Sequence, residues 1–110
     1  MRIWDLPPRV LCRQHLLGEH RELHALWVIV TQKRKGYANH PETKRWHGKL
    51  RALYHRHDAL VVEMTRRGYR HHTDLDRRLA RGQATQTEFV DSIRAQKQNL
   101  RAKKCECKVR

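Results

Sequence analysis

The sequence predicts an all-α fold, a compact single domain over residues 1–110 with about three helices and a basic C-terminal arm. Its 110 residues match the length of one typical domain, about 100–150 residues, and leave no room for a second core. Only five glycines and three prolines interrupt the chain. Between them apolar residues recur at helical rather than alternating spacing, and no internal repeat is apparent.

The first predicted helix opens after Pro7 and Pro8 and runs to a basic segment just before Gly36. Proline is tolerated in the first turn of a helix, and cations are favoured in the last. One stripe of this helix is apolar, and it consists of Cys12, Leu16, Leu23, Trp27 and Val30. A different arc carries Gln14, His15, Gly18, Arg21 and Glu22. We expect the stripe to pack and the arc to stay free.

The second predicted helix starts near Asn39 and ends at Gly68. Asn39 is a suitable cap, and Glu42 stands three residues later, like the acid of a capping box. The apolar stripe consists of Trp46, Leu50, Leu53, Tyr54, His57, Leu60, Val61 and Met64. Between these lie Lys49, Arg51, Arg56 and Arg66, so the helix should have a cationic outer face.

The third predicted helix begins at a second capping box, Thr85 to Glu88, after a polar, turn-like stretch over residues 69–82. Its apolar positions are Phe89, Val90, Ile93 and Leu100. The chain then becomes too basic to bury. We therefore expect a frayed helix end or a mobile arm over about residues 101–110.

The charge of the chain indicates a polyanionic partner. Lysine and arginine number 25 and the acids 11, so the formal net charge is +14. The longest apolar run, Ala25 to Val30, has six residues, whereas about 20 are needed to span a bilayer. No secretion signal is evident, so we expect a cytoplasmic protein without a membrane partner.

The cysteines and histidines give no convincing metal spacing. Cys12 is isolated, and Cys105 and Cys107 are one residue apart, which suits neither a disulfide framework nor the usual ligand pairs of a zinc knuckle. His20 and His24 are four residues apart and could chelate a metal, but no third ligand is indicated. We expect three reduced thiols, no metal and no cofactor.

The first thirty residues contain a spaced motif, Gln14-His15-Leu16, then Glu19, then Arg21-Glu22-Leu23. The motif and its distance from the first residue strongly resemble the start of the pyrimidine-dimer DNA glycosylases of the phage endonuclease V family. A weaker similarity continues through the second predicted helix to about residue 70.

The resemblance implies a DNA repair glycosylase with linked abasic-site lyase activity, and UV pyrimidine dimers in duplex DNA are the expected substrate. Its nucleophile would be the α-amine of Met1, which forms a Schiff base, and its catalytic carboxylate would be Glu22. An α-amine is about one quarter neutral near pH 7.4, against about one part in a thousand for an ordinary lysine. The implied reaction needs no metal.

The resemblance also implies the DNA contacts. Arg2 and Arg21 would hold phosphates beside the lesion, with Gln14 and His15 reaching nearby backbone or base. A basic residue of the family is replaced here by Ala25. The run Lys33, Arg34 and Lys35 is either a solvated helix end or a non-specific phosphate contact. Trp4 can stack on a base or pack.

The expected partner is double-stranded DNA containing a lesion, bound by a monomer associated with the nucleoid. A basic helical module that binds DNA or RNA without catalysis is the alternative. A third possibility is that the same lyase site serves a different lesion. Borohydride trapping on abasic-site DNA separates an enzyme from a mere binder, because only an imine gives a stable adduct.

Overall fold

The structure is a computed structural model that describes residues 2–33, 35, 39–70, 73–103 and 105–109. The described residues contain four α-helices and no named strand, which confirms the all-α prediction. The helices are α1 (Arg13–Thr31), α2 (Pro41–Lys44), α3 (Leu50–Arg66) and α4 (Ile93–Ala102). Two short 3-10 helices, Pro8–Val10 and Arg77–Leu79, lie in the connections.

Helix α1 is shorter at both ends than the sequence predicts. The prolines open the 3-10 helix Pro8–Val10, and Cys12 is the N-cap of α1 in an extended conformation. The helix ends at Thr31, so Lys33 lies after the helix rather than in its last turn. The apolar stripe is confirmed, because its members are buried or half-buried.

The second predicted helix is divided in two. His40 is the cap of α2, and its side chain accepts a hydrogen bond from the Glu42 amide, so the prediction that Asn39 caps this helix is wrong. Pro41 occupies the first helical position, which suits its fixed φ and makes the residue before it the cap. Glu42 forms no capping box, because its carboxylate accepts hydrogen bonds from Arg45, Trp46 and the Ile3 amide instead. A turn through Gly48 then leads into α3.

The start of α3 is capped by a distant loop. Lys49 is its N-cap but makes no side-chain cap. Instead, the amide of Arg51 donates to the carbonyl of Arg81 (2.8 Å), and that of Ala52 donates to the carbonyl of Gln83 (3.0 Å). The loop thereby satisfies amides that a helix leaves without internal partners. Gly82, with φ +87°, lets this loop lie directly against Gly48.

Helix α4 begins at Ile93 with Ser92 as its cap, so the predicted capping box from Thr85 to Glu88 is wrong. The Ser92 hydroxyl accepts a hydrogen bond from the Ala95 amide (3.1 Å). Within the predicted capping box, the Gln86 side chain donates instead to the carbonyl of Arg45 (2.7 Å). This contact ties the segment to the α2–α3 turn, and a tertiary bond of this kind overrides a local helix signal.

The core lies between α1 and α3, which pack together, and the amino-terminal segment covers one edge of it. Trp4 is 5% exposed, so it packs rather than presenting its ring to solvent. The buried apolar side chains are Ile3, Trp4, Leu6, Leu11, Leu16, Leu23, Leu26, Trp27, Trp46, Ala52, Leu53, Leu60, Met64, Leu75 and Leu100.

Across the described ranges, no helix combines the length and apolar character that crossing a bilayer requires.

The arm after α4 lies along the start of α1 in its described part, residues 105–109. The amide of Lys108 donates to the carbonyl of Val10 at 2.7 Å. Cys107 and Val109 are half-buried against the core. Two arm residues thus contribute apolar contacts that its charge pattern did not indicate.

Candidate active site

The segment of residues 2–5 is fastened to the helices by consecutive backbone amides. Each of three amides donates to a side-chain oxygen from a different helix, and all three acceptor residues are buried. The hydrogen bonds run from Ile3 to Glu42 (3.2 Å), from Trp4 to Glu19 (3.1 Å) and from Asp5 to Gln96 (2.8 Å). We call these contacts the amino-terminal clamp. It fixes the backbone from Ile3 to Asp5 against the three helices.

The Glu19 carboxylate of the clamp is paired with Arg56 from α3. The guanidinium donates from Nε to Oε2 (2.6 Å) and from Nη2 to Oε1 (2.9 Å), and its Nη1 donates to the carbonyl of Leu6. Burial raises the pKa of Glu19, and the Arg56 charge opposes this rise. Arg56 and Lys49 therefore do not belong to the outer cationic face expected from the sequence, because Arg56 turns toward the buried Glu19 and Lys49 is itself buried.

The Glu42 carboxylate belongs to a second buried group of charges. Its Oε1 accepts from Arg45 Nε (3.0 Å) and Nη2 (2.7 Å), from Trp46 Nε1 (3.2 Å) and from the Ile3 amide. Arg45 also donates to Asp5 (2.9 Å). Burial by itself lowers the pKa of Arg45, but the hydrogen bonds to Glu42 and Asp5 more than offset it and raise that pKa.

The outward arc of α1 presents the motif residues beside this clamp. Glu22 follows Glu19 by three residues, or about 4.5 Å along the helix axis. Its side chain is half-buried and makes no hydrogen bond or ion pair with any residue of the described ranges. Arg21 and Gln14 are exposed on the same helix. The carboxylate of Glu22 is therefore available to a ligand, whereas that of Glu19 is fully engaged.

The remaining predicted site residues do not all lie beside the α1 motif. Arg2 pairs with Asp91 (2.9 Å) and covers the Trp4 ring at 4.8 Å, so it lies within the clamp region. Lys33 and Lys35 are exposed beyond the far end of α1. Nine residues, about 13.5 Å of helix, separate Glu22 from Thr31, so these lysines stand apart from the motif. Met1 and Arg34 lie outside the described residues.

His15 faces a group of thiols. Its Nδ1 lies 3.1 Å from Cys12 Sγ and 3.3 Å from Cys107 Sγ, and its ring meets the Trp4 ring edge-on. Cys105 Sγ completes a set of four ligand atoms that all lie within 4.8 Å of one another. We call this set the thiol–histidine cluster. Sequence reasoning missed it because its two halves are about ninety residues apart.

The cluster has perturbed protonation equilibria. Burial raises the pKa of Cys107 to about 12. Burial also raises the pKa of Cys12, but hydrogen bonds from nearby backbone and from Cys107 outweigh it, so that this pKa is lowered overall. Burial lowers the pKa of His15, and the Lys103 charge adds to the effect. None of the three cysteines forms a disulfide in the structure.

A second group of ligand atoms consists of three histidines. His24 Nε2 lies 3.2 Å from His20 Nε2 and 3.1 Å from His57 Nε2. The sequence indicated the first two as a possible chelating pair, and α3 supplies a third imidazole that the spacing could not reveal. These three residues form the histidine cluster.

A cavity of about 280 Å³ opens beside the clamp, between Trp4 and the segment after Gln83. Its lining includes Asp5, Trp46, Arg56 and Phe89. Phe89 is 44% exposed, so one aromatic ring borders the cavity mouth. A purine or pyrimidine base has a flat apolar face that such a ring can stack on.

Comparison with known proteins gives one family match. The family model described as pyrimidine dimer DNA glycosylase matches residues 1–77, which is 77 of 110 residues. No curated protein and no solved structure matches the chain. The matched part contains the α1 motif, Glu42 and Arg56. Helix α4 and the cysteine pair Cys105 and Cys107 lie outside it.

Proposed function

Since this chain belongs to the pyrimidine dimer DNA glycosylase family, we propose that it removes the damaged base and cuts the strand through one covalent intermediate. The family indicates a glycosylase that acts on DNA containing pyrimidine dimers. The finer proposal is that the Met1 α-amine forms a Schiff base with the deoxyribose, and that Glu22 moves the protons.

The amino-terminal clamp carries this proposal. Three consecutive amides are held by buried side chains from three helices, and one of these side chains, Glu19, lies one helical turn before Glu22. The clamp thereby holds the described segment from Ile3 to Asp5 against the helices. A nucleophile that is held in place reacts faster than a mobile one, which is why this segment supports the proposal.

The proposed reaction proceeds through amine attack, imine formation and β-elimination, and none of these steps uses a metal. The neutral amine attacks C1′ and the C1′–N bond breaks, with the base leaving on the bond's electron pair and taking the proton that the attached nitrogen releases. An imine then forms as the sugar ring opens. Glu22 donates a proton to the ring oxygen during opening. The resulting carboxylate then supports removal of the C2′ proton, and β-elimination expels the 3′ phosphate. Water finally hydrolyses the imine and regenerates the amine.

The DNA contacts proposed from the motif suit the exposed arc of α1. Arg21 and Gln14 are exposed, so they are accessible to a phosphate backbone. Arg2 has to exchange Asp91 for a phosphate, or bridge the two. His15 presents Nδ1 to the thiols, which leaves Nε2 to donate to the DNA. Non-specific contacts to phosphates farther from the lesion are assigned in this proposal to Lys33, Arg34 and Lys35.

Base extrusion is part of the same proposal. A glycosylase reaches its target atom by taking a nucleotide out of the stack. The 280 Å³ cavity beside Trp4 has Phe89 at its edge and Arg56 in its lining, which suits an extruded base. We propose that this cavity receives a nucleotide opposite or adjacent to the lesion.

Borohydride trapping tests the proposal. The protein with a free Met1 should form a reduction-stable adduct with abasic-site duplex and should cut duplex containing a pyrimidine dimer. An uncleaved amino-terminal tag should abolish both activities while DNA binding survives, because it converts the amine to an amide. Both activities should return when a protease restores Met1.

Substitutions distinguish the proposed role of the Glu22 carboxylate from that of the Met1 amine. Glu22→Gln should retain the fold and DNA binding but lose turnover, because it removes a proton-transfer group. Glu88→Gln is the matched control, since its side chain is 69% exposed and lies outside the α1 motif. Full activity in the tagged protein would refute the Met1 assignment. DNA binding without any adduct would favour a non-catalytic basic module.

A further inference from the structure

We propose that Cys12, His15, Cys105 and Cys107 form a structural zinc site that fastens the C-terminal arm to the start of α1. This inference goes beyond the proposed function. None of its ligands takes part in the proposed proton transfers or forms the imine, although the Nε2 of His15 is also a proposed DNA contact. Two of the four ligands lie outside the part of the chain that the family model matches.

The positions of the four ligand atoms suit tetrahedral zinc. Zinc binds thiolate sulfur at about 2.3 Å and imidazole nitrogen at about 2.0–2.1 Å, so neighbouring ligand atoms in a tetrahedron are about 3.5–3.8 Å apart. In the cluster His15 Nδ1 lies 3.1 Å and 3.3 Å from two sulfurs, and no pair of ligand atoms exceeds 4.8 Å. A central ion therefore requires only small side-chain adjustments.

The local structure supplies the ligands in two short chelating pairs. Cys12 is the N-cap of α1 and His15 lies in its first turn, so these side chains are neighbours on one face of the helix. Cys105 and Cys107 have a single residue between them. The hydrogen bond from Lys108 to Val10 holds the second pair against the first. A three-cysteine, one-histidine set is a common composition for structural zinc sites.

A backbone amide already supports one of the sulfurs. The Cys12 amide donates to Cys107 Sγ at 3.1 Å. Amide hydrogen bonds of this kind orient thiolate ligands and stabilise their charge around a metal. Cys12 itself stands at the positive end of α1, which favours a thiolate there.

The charge balance also favours the metal. Binding one Zn²⁺ releases three thiol protons, so the loaded site carries +2 and three thiolate charges, a net −1. The chain has a formal net charge of +14, and Lys103 lies close enough to affect His15. A local negative charge thus relieves repulsion where the basic arm meets α1.

A disulfide explains the cluster less well. It joins two sulfurs, leaves the third thiol unpaired and gives no role to His15, whereas zinc uses all four ligand atoms. The site is structural rather than catalytic, because seven residues, about 10.5 Å of helix, separate His15 from Glu22. The Nε2 of His15 keeps its proton in the loaded site and remains available to DNA.

Metal content and cobalt spectroscopy test the proposal on the full chain. Protein produced with zinc in the medium should contain about one zinc per chain by elemental analysis, since four ligands complete the coordination shell. Replacement by Co²⁺ should give thiolate-to-cobalt charge transfer in the near ultraviolet and the intense visible bands of tetrahedral cobalt. Cys105→Ser and Cys107→Ser should each weaken both features.

The histidine cluster provides the matched control. His24→Gln removes its central imidazole and should leave the zinc content and the cobalt charge transfer unchanged. A metal that persists in both serine variants but disappears in His24→Gln would overturn the proposal and place the ion at the histidines. Protein that contains no zinc and takes up no cobalt would also overturn it, as would a disulfide found by mass analysis under zinc-replete conditions.

The arm provides a second measurement that does not depend on the variants folding. Trypsin should cut the wild-type protein slowly after Lys103 and Lys108 when zinc is bound, and rapidly once a chelator removes the ion. Adding zinc back should restore protection. Equal cleavage with and without the chelator would show that the ion does not fasten the arm and would refute the proposal.

Discussion

Replacing Glu42 by glutamine isolates the charge that holds the amino-terminal clamp. The substitution keeps the shape of the side chain and one acceptor oxygen, so the Ile3 amide and Trp46 retain a partner. Arg45 loses one of two carboxylates but keeps Asp5 and two backbone carbonyls. A buried charge left with no partner costs about 3–5 kcal/mol. Since Arg45 keeps one of its two carboxylate partners, we expect about half of this loss, or about 1.5–2.5 kcal/mol.

Urea unfolding followed by far-ultraviolet circular dichroism measures this loss, and thermal unfolding should show a decrease in Tm of about 10 °C. Borohydride trapping on the same samples should show slower imine formation if, as in the proposed function, the clamped Ile3 segment positions the α-amine. The control, Glu88→Gln, removes a surface partner of Lys49 and should cost under about 0.5 kcal/mol. Equal stability of the two variants would refute the argument. Normal trapping by a destabilised Glu42→Gln protein would separate Glu42 from amine positioning.

Affinity for duplex DNA should fall with salt at a log–log slope near −5 if about six phosphates are contacted, and a flat response in a binding titration would contradict the electrostatic argument. Glu63→Gln should cost about 1 kcal/mol at neutral pH, because hydrogen bonds from Arg66 and Arg67 lower the pKa of Glu63 to about 2. Glu63 is buried, but its partner Arg66 is exposed, so solvent screening reduces the cost. This stability is present above the unfolded pKa of about 4.3 and disappears as the pH falls through about 2, so urea unfolding of the two proteins should converge in acid. Gly82→Ala places a Cβ 2.1 Å from the Gly48 carbonyl oxygen and should cost about 3 kcal/mol or more, whereas Gly48→Ala meets open space and should cost about 1 kcal/mol. Equal unfolding midpoints for these two alanine variants would contradict the close approach.

Helical periodicity and the α1 motif were readable from the sequence, because both depend on local spacing. Apolar residues three and four apart lie on one face of a helix wherever it packs, so the stripes of α1 and α3 are as predicted. The motif from Gln14 to Leu23 pointed to the family that the comparison supports. Local signals were less reliable at helix ends. The potential caps at Asn39 and Thr85 were not used, because Pro41 and the Gln86 contact decided those boundaries.

The tertiary structure decided which distant side chains meet. The sequence indicated a capping role for Glu42 and no role for Gln96, yet both are buried and hold the backbone amides of Ile3 and Asp5. Cys12 looks isolated in the sequence, yet its amide donates to the sulfur of Cys107, which lies 95 positions farther along the chain. Periodicity reports which face of a helix is apolar, but the partner of a buried polar group depends on how the helices pack. The amino-terminal clamp and the thiol–histidine cluster follow from that packing.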